Sequence, residues 1–339
     1  MEQLNKKRDL SFDIVRTLCI IEIIGFWHLL DYINPSLYNS NADILEYYGG
    51  IITQGVLATF TLMSSIFLGR YEISNIGEIS TFIRKRLKRF FPLFFLSSLF
   101  LFVASTAVGE CWYKDFVNFV NSLFGITNFC PPQPPTMWYM SMLIFLYLIT
   151  PFILIKKGWK RFIIATFIYM AILIASTTFE IDYRLLLYMP VYLIGLIISK
   201  DYWDKIKRNR FILLLSLSVV FVEIVKNPFS TIIDRRHFLI LFAMPVFIIS
   251  ISSFMESKYV NKISSFISYS SMSMYLFHRH IFLLFVFLFG VNETSSLRNA
   301  YLPIWVLYVI ILPIIIVSSY IIQKTYDNLL KKLNNNKFK

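Results

Sequence analysis

Apolar residues form ten long stretches along the chain, separated by short polar segments. The stretches lie near residues 14–34, 51–69, 90–108, 137–155, 162–179, 185–199, 211–227, 237–255, 271–290 and 302–323. An α-helix rises about 1.5 Å per residue, so about 20 apolar residues cross a hydrocarbon layer about 30 Å thick. No stretch alternates with a period of two residues, as the strands of an outer-membrane barrel do. The pattern predicts an all-α, polytopic membrane protein of about ten transmembrane helices.

Composition and charge agree with this pattern. The chain has 339 residues, of which 57% are apolar and 16% charged, against roughly 45–50% and about 25% in soluble domains. A net charge of +13 would suggest a nucleic-acid partner if the basic residues shared one face. Instead they fall between the apolar stretches. We therefore expect the lipid bilayer as a partner, no nucleic acid, and a single membrane domain over residues 1–339.

Lys and Arg are distributed very unevenly between alternate loops. One set of loops, together with both termini, holds about 25 of them and the opposite set about 6. Basic residues concentrate in loops that face the cytoplasm. We therefore expect both termini to be cytoplasmic and the number of helices to be even.

The first helix carries several polar side chains at membrane depth. On a regular α-helix, five of these residues would lie within about 120° of one another around the helix axis: Asp13, Arg16, Trp27, His28 and Asp31. Charged residues inside a membrane are costly and are therefore functional candidates. Asp13 and Arg16 could instead be interfacial anchors, and Asp31 could lie among the outer headgroups. His28 is the stronger candidate, because an imidazole at this depth needs hydrogen-bond partners.

A basic cluster precedes the third apolar stretch, in the segment FIRKRLKRFFPLFFL. Its position on the cytoplasmic side fits either of two roles. The cations could fix the orientation of the loop and meet anionic lipid. Alternatively, Arg84, Arg86 and Arg89 could clamp the phosphates of a nucleotide-bearing donor, because guanidinium groups bind phosphate bidentately.

A third polar group lies in SYSSMSMYLFHRHIFLL, within the ninth stretch. If the helix begins near Ser271, His278 and Arg279 lie about 10–14 Å along it, nearer the cytoplasmic side. Tyr275 shares a face with His278. The side chains of His278 and His280 diverge by about 200°, so we expect no metal site there. A polar lining of an internal cavity fits these residues better.

Two cysteines, Cys111 and Cys130, fall in the same predicted outside loop. An oxidising exterior permits a disulfide between them, and two free thiols are the alternative. We predict that they are bonded.

Four segments in this order resemble the membrane acyltransferase type 3 family, the bacterial O-acetyltransferases that modify surface carbohydrates. The segments are DIVRTLCIIEIIGFWH, RKRLKRFFPLFFL, TMWYMSMLIFLYLITPFIL and SMSMYLFH. The resemblance implies a multi-pass protein of the bacterial plasma membrane, with acetyl-CoA or another acyl-CoA as donor. It implies a carbohydrate or lipid-linked glycan as acceptor.

The resemblance also implies roles for individual residues. His28 and Arg16 match the catalytic helix, where the family separates Arg and His by ten residues. Eleven separate them here, which rotates His28 by about 100° unless a bulge near Gly25 restores the register. The basic cluster would help to hold acyl-CoA. Trp138 and Tyr139, together with Trp27, would contact the acceptor.

The expected reaction is acyl transfer from a cytoplasmic acyl-CoA to a hydroxyl on the outer side. His28 would act as general base, with Asp31 or Asp13 orienting its ring. Tyr275, His278 and Arg279 would bind the donor and line the path between donor and acceptor. A transporter or flippase of a lipid-linked glycan or small anion is the alternative, because polar residues inside spans are equally expected there.

Overall fold

The computed structural model describes residues 9–30, 32, 42–108, 116–130, 136–198, 200–225, 238–289, 291–292 and 300–335. Within these residues the chain is helical apart from one short antiparallel pair of strands, β1 (Val291–Asn292) and β2 (Ala300–Tyr301). The helices are α1 (Leu10–Glu22), α2 (His28–Leu30), α3 (Ala42–Leu68), α4 (Ile76–Val108), α5 (Phe116–Phe124), α6 (Met137–Leu154), α7 (Trp159–Ala175), α8 (Tyr183–Ile197), α9 (Lys200–Ile206), α10 (Arg210–Val225), α11 (Ile240–Phe254), α12 (Lys258–Phe289), α13 (Ile304–Val306) and α14 (Leu312–Asn335). Two π-helical segments, Ile23–Trp27 and Leu307–Ile311, join α1 to α2 and α13 to α14.

Every predicted apolar stretch contains a helix, and the predicted all-α class of membrane protein is confirmed. Among the residues that the structure describes, five helical segments are long and apolar enough to cross a membrane. They are Gly49–Leu68, Ile76–Ala104, Met137–Leu154, Lys258–Phe289 and Ile304–Leu333. Others are shorter: α8 and α11 have 15 residues each and so measure about 22 Å. The chain is therefore a multi-pass membrane protein whose helices differ widely in length.

Close helix packing surrounds α3, which lies against α8 and α11. A Cβ atom at Gly55 would lie only 2.6 Å from the side chain of Met244 on α11. Small residues let helix backbones approach in this way, which matters in a membrane because lipid supplies no hydrophobic force between helices. The glycine thus brings α3 into direct contact with α11.

The residue before α1, Asp9, forms an ion pair with Lys207, the residue that follows α9, on the side predicted to be cytoplasmic. Lys207 Nζ lies 2.6 Å from Asp9 Oδ2, and Asp9 also accepts from the backbone N–H of Ser11 at the helix N-terminus. Burial alone would raise the pKa of Asp9, but the hydrogen bonds from Lys207 and Ser11 hold that pKa below its usual value. The ion pair therefore persists at neutral pH.

The predicted disulfide cannot be placed in this fold, because Cys111 lies outside the described residues. Cys130 ends a turn that follows α5 and is half-buried. The pairing of the two cysteines stays a prediction.

Candidate active site

A π-helical turn lies directly before His28. The backbone N–H of His28 donates to the carbonyl of Ile23, five residues earlier, instead of four as in an α-helix. The turn covers Ile23–Trp27 and includes Gly25. A π turn absorbs one extra residue, which compensates for the rotation of about 100° that this residue would cause in a regular helix. The bulge near Gly25 is thus present, and the eleven-residue separation from Arg16 is accommodated.

His28 meets His278 of α12 across the helix interface. Its Nδ1 lies 2.6 Å from Nε2 of His278, and the ring planes differ by only 3°. The other nitrogen of His278, Nδ1, lies 2.8 Å from the carbonyl oxygen of Tyr275. His278 is fully buried and His28 is 8% exposed. The two imidazoles form one hydrogen-bonded unit inside the bundle.

The predicted depth of His278 is wrong. Helix α12 begins at Lys258, not near Ser271, so His278 lies about 30 Å along it rather than close to its cytoplasmic end. The polar, serine-rich segment before Ser271 is already helical, and it packs against α1 and α14. His278 consequently lies at the depth of His28.

Thr136, the residue directly before α6, accepts hydrogen bonds from two α12 side chains next to this pair. Tyr275 donates its hydroxyl to the Thr136 carbonyl at 3.1 Å, and Arg279 donates Nε–H to the Thr136 hydroxyl at 2.7 Å. Among the described residues, Thr136 is the only non-glycine with positive φ, at 70°. A β-branched residue is strained in this conformation, and such strain concentrates at functional sites. The two hydrogen bonds to Thr136 hold Tyr275 and Arg279 in place. Thr136 is the first residue of the segment TMWYMSMLIFLYLITPFIL, but the sequence alone assigned it no role.

The two aromatic residues after Thr136 differ in their surroundings. Tyr139 is buried, its hydroxyl lies 3.2 Å from that of Thr61, and its ring packs edge-on against Tyr275 at 5.5 Å. Trp138 is half-buried and carries the guanidinium of Arg184 over its ring at 4.2 Å. Sequence reasoning missed Arg184, because nothing in its local pattern shows that it meets Trp138.

Trp27, the third residue expected to contact the acceptor, packs within the bundle. Its ring covers Gly49 and Gly50 of α3, and a Cβ atom at Gly49 would lie 2.9 Å from the indole. The glycine provides the space for this ring.

Asp13 does not lie near His28. It is 2% exposed and accepts a hydrogen bond of 2.8 Å from the hydroxyl of Ser268. His28 lies fifteen positions further along the chain, or roughly 20 Å along the helix. The expectation that Asp13 orients the imidazole is therefore wrong, and His278 occupies that position. Asp31, the other carboxylate considered, lies outside the described residues.

We expect Asp13→Ala to lower the stability of the protein. It would leave the buried hydroxyl of Ser268 without its acceptor, at a cost of about 1–3 kcal/mol. Asp13→Asn keeps one acceptor oxygen and should cost less. Thermal unfolding in detergent would measure both variants, and an unchanged midpoint for Asp13→Ala would contradict this role.

Arg16 lies on the side of the bundle predicted to be cytoplasmic. Its guanidinium carbon lies 5.2 Å from the centre of the Phe67 ring, and that of Arg70 lies 4.9 Å from the same ring. Arg16 also approaches Asp13 at 4.0 Å. Sequence reasoning missed Arg70, because a basic residue in an inside loop is already explained by topology.

The arginine side chains of the basic cluster extend from different faces of α4. Arg84 and Arg86 lie about 200° apart on the helix, whereas Arg86 and Arg89 lie about 60° apart. Arg86 stacks on Tyr71 at 5.0 Å, so it faces the bundle. Arg84 is exposed and lines a surface groove with Lys88. By helix geometry Arg86 and Arg89 therefore lie on neighbouring faces of α4 and Arg84 on another, while both Arg84 and Arg89 are exposed.

Comparison with known proteins gives one match. No curated protein and no solved structure matches the chain. A family model described as an acyltransferase domain matches residues 9–324, which is nearly the whole chain. The match includes the π turn, the basic cluster of α4 and the His278 segment. The chain therefore belongs to the membrane acyltransferase type 3 family.

Proposed function

We propose that this acyltransferase moves an acyl group from acetyl-CoA or another cytoplasmic acyl-CoA to a hydroxyl outside the membrane. The acceptor is a surface carbohydrate or a lipid-linked glycan, and the membrane is the bacterial plasma membrane. In this proposal ten helices span the bilayer and both termini are cytoplasmic.

The observation that carries the proposal is the imidazole pair of His28 and His278. Hydroxyl acylation needs a base that can take the proton of the attacking oxygen, and imidazole is the side chain best suited to this near neutral pH. The pair is buried; His28 lies two residues before the end of α2, and His278 lies past the middle of α12, toward the end that the predicted topology places outside. A base in this position suits an acceptor that approaches from the outer side.

The proposed donor site lies at the opposite end of α1. Arg16 precedes His28 by twelve residues, or roughly 18 Å along the helix. This separation is comparable to the extended pantetheine arm of a coenzyme A thioester. The phosphates would bind Arg16, Arg86 and neighbouring cations, because guanidinium groups recognise phosphate, while the thioester would reach His28.

The chemistry follows from these positions. Nε2 of His28 takes the proton of the acceptor hydroxyl while its oxygen attacks the thioester carbonyl. The carbon–oxygen bond forms, the carbon–sulfur bond breaks, and the proton passes from His28 to the departing coenzyme A thiolate. Ester and free coenzyme A are the products. No covalent enzyme intermediate is required.

Reconstitution in liposomes tests the function. The protein is supplied with radiolabelled acetyl-CoA on the side of its termini and with extracted surface glycan on the other side. We expect label in the glycan and release of coenzyme A in equal amounts. Movement of unmodified glycan across the bilayer without acyl-CoA would favour a transporter instead.

The arginines of α4 provide a prediction about the donor. Arg86→Ala with Arg89→Ala should raise the KM for acyl-CoA by at least about tenfold, because each lost charged hydrogen bond is worth about 1.5–3 kcal/mol. The kcat should change less, since phosphate contacts mainly supply binding energy. Steady-state kinetics over a range of acyl-CoA concentrations would measure both parameters.

Membrane orientation must be measured in the same double variant. Protease accessibility of the C-terminus should remain as in the unsubstituted protein. A variant that inserts in the wrong orientation yet binds coenzyme A normally would show that these arginines serve topology.

A further inference from the structure

We propose that His278 is a positioning residue that fixes the tautomer of His28, so that Nε2 of His28 is the free base. The proposal rests on the proposed function, because it assigns His278 a role in that reaction. It differs from the expectation that His278 contacts the donor.

The hydrogen bonds of His278 determine which of its nitrogens carries a proton. Nδ1 lies 2.8 Å from the carbonyl oxygen of Tyr275 and 3.1 Å from that of Met274. A carbonyl oxygen only accepts, so Nδ1 must be the donor. In a neutral imidazole with a proton on Nδ1, Nε2 holds the lone pair and accepts.

This assignment then determines the state of His28. Its Nδ1 lies 2.6 Å from the accepting Nε2 of His278, and two lone pairs cannot face each other at that distance. His28 must therefore donate from Nδ1. Its own Nε2 is left unprotonated, which is the state that a general base needs.

The relative orientation of the rings supports a directional hydrogen bond. The ring centres are 4.7 Å apart and the planes differ by 3°. This separation is close to the nitrogen–nitrogen distance plus the two ring radii, so the rings meet edge to edge rather than face to face. The shared proton lies near the plane of both rings.

The contact also has a consequence during the reaction. When Nε2 of His28 takes the proton of the acceptor hydroxyl, the ring becomes an imidazolium, and its bond to His278 becomes charge-assisted and stronger. His278 thus helps to stabilise the protonated base. A buried carboxylate performs the same two tasks in serine hydrolases, where loss of the correct tautomer costs about 10⁴-fold in kcat.

Two substitutions at one position test the proposal. The side chain of His278→Gln can place an amide oxygen near the former Nε2 and accept from His28, whereas His278→Phe keeps a buried ring without an acceptor. We expect His278→Phe to lower kcat by about 10²- to 10⁴-fold with an unchanged KM for acetyl-CoA. His278→Gln should recover most of the kcat. Equal kcat values for the Phe variant and the unsubstituted protein would overturn the proposal.

A spectroscopic measurement tests the contact without relying on activity. In protein labelled with ¹⁵N-histidine, the His28 signals are assigned by their loss in His28→Ala. In the unsubstituted protein we expect neutral His28 to carry its proton on Nδ1. In His278→Phe we expect the proton of His28 on Nε2, which is the nitrogen that is protonated in most free histidine side chains. A proton on Nε2 of His28 in the unsubstituted protein would overturn the proposal.

The two experiments separate this proposal from the proposed function. If the unsubstituted protein transfers no acyl group from any acyl-CoA, the proposed function fails. The ¹⁵N measurement still decides whether His278 sets the tautomer of His28.

Discussion

Replacing His28 with Ala is expected to abolish acyl transfer, with a loss of at least about 10²- to 10⁴-fold in kcat. His28 is buried, its Nδ1 is engaged by His278, and its Nε2 is the nitrogen proposed to take the acceptor proton. Expression and coenzyme A binding should be retained, because the proposed phosphate contacts lie roughly 18 Å away. Release of coenzyme A from acetyl-CoA in the presence of acceptor would measure the loss.

His280→Gln is the matched control for this substitution. His280 lies on α12, two residues after His278, but its Nε2 donates to the carbonyl of Ser97 on α4 at 2.8 Å. The amide nitrogen of Gln can replace that donor, so we expect activity close to that of the unsubstituted protein. Near-normal turnover by well-folded His28→Ala protein would remove His28 from the mechanism.

Deleting Gly25 should leave acyl transfer largely intact, although the deletion lies in the helix that carries the base. The π turn over Ile23–Trp27 holds one residue more than an α-helical turn, so removing one residue should yield a regular helix. His28 would then keep its orientation relative to Arg16 and its contact with His278. The measurement is again the rate of coenzyme A release.

An insertion of the same size provides the opposite control. An Ala inserted between Leu18 and Cys19 lies in regular α-helix and should rotate everything beyond it by about 100° unless a second bulge forms. We expect a loss as large as that of His28→Ala. If the Gly25 deletion lowers the rate of coenzyme A release as much as the insertion does, restoring the helix register is not the only role of the π turn.

Much of the fold could be predicted from the sequence alone. Each apolar stretch is long and free of period-two alternation, so a helix satisfies its backbone polar groups at membrane depth. The family could be recognised as well, because its motifs are short local segments in a fixed order. The lone histidine near the predicted outer end of the first helix could be singled out, since an imidazole at membrane depth requires partners.

The partner of that histidine could not be predicted. His28 and His278 are 250 residues apart, and helix periodicity reports only which residues share a face of one helix. The apolar pattern also missed the start of α12 at Lys258, because the residues of its first half that face the bundle are serines, and Ser264, Ser268 and Ser270 are buried there. Ser268, for example, donates to Asp13 of α1.

The sequence by itself determined that this chain is a helical membrane acyltransferase, which residues could act as the base, and that an extra residue in α1 needed compensation. Only the tertiary structure decided how that compensation occurs and which residues meet. The π turn forms in the backbone of the first helix, where neighbouring helices pack against it. The imidazole pair depends on how α1 and α12 cross. Asp13 illustrates the same limit: its spacing from His28 suggested a shared face, but about 20 Å of helix separates them. Side chains on one face interact only when they also lie at the same height.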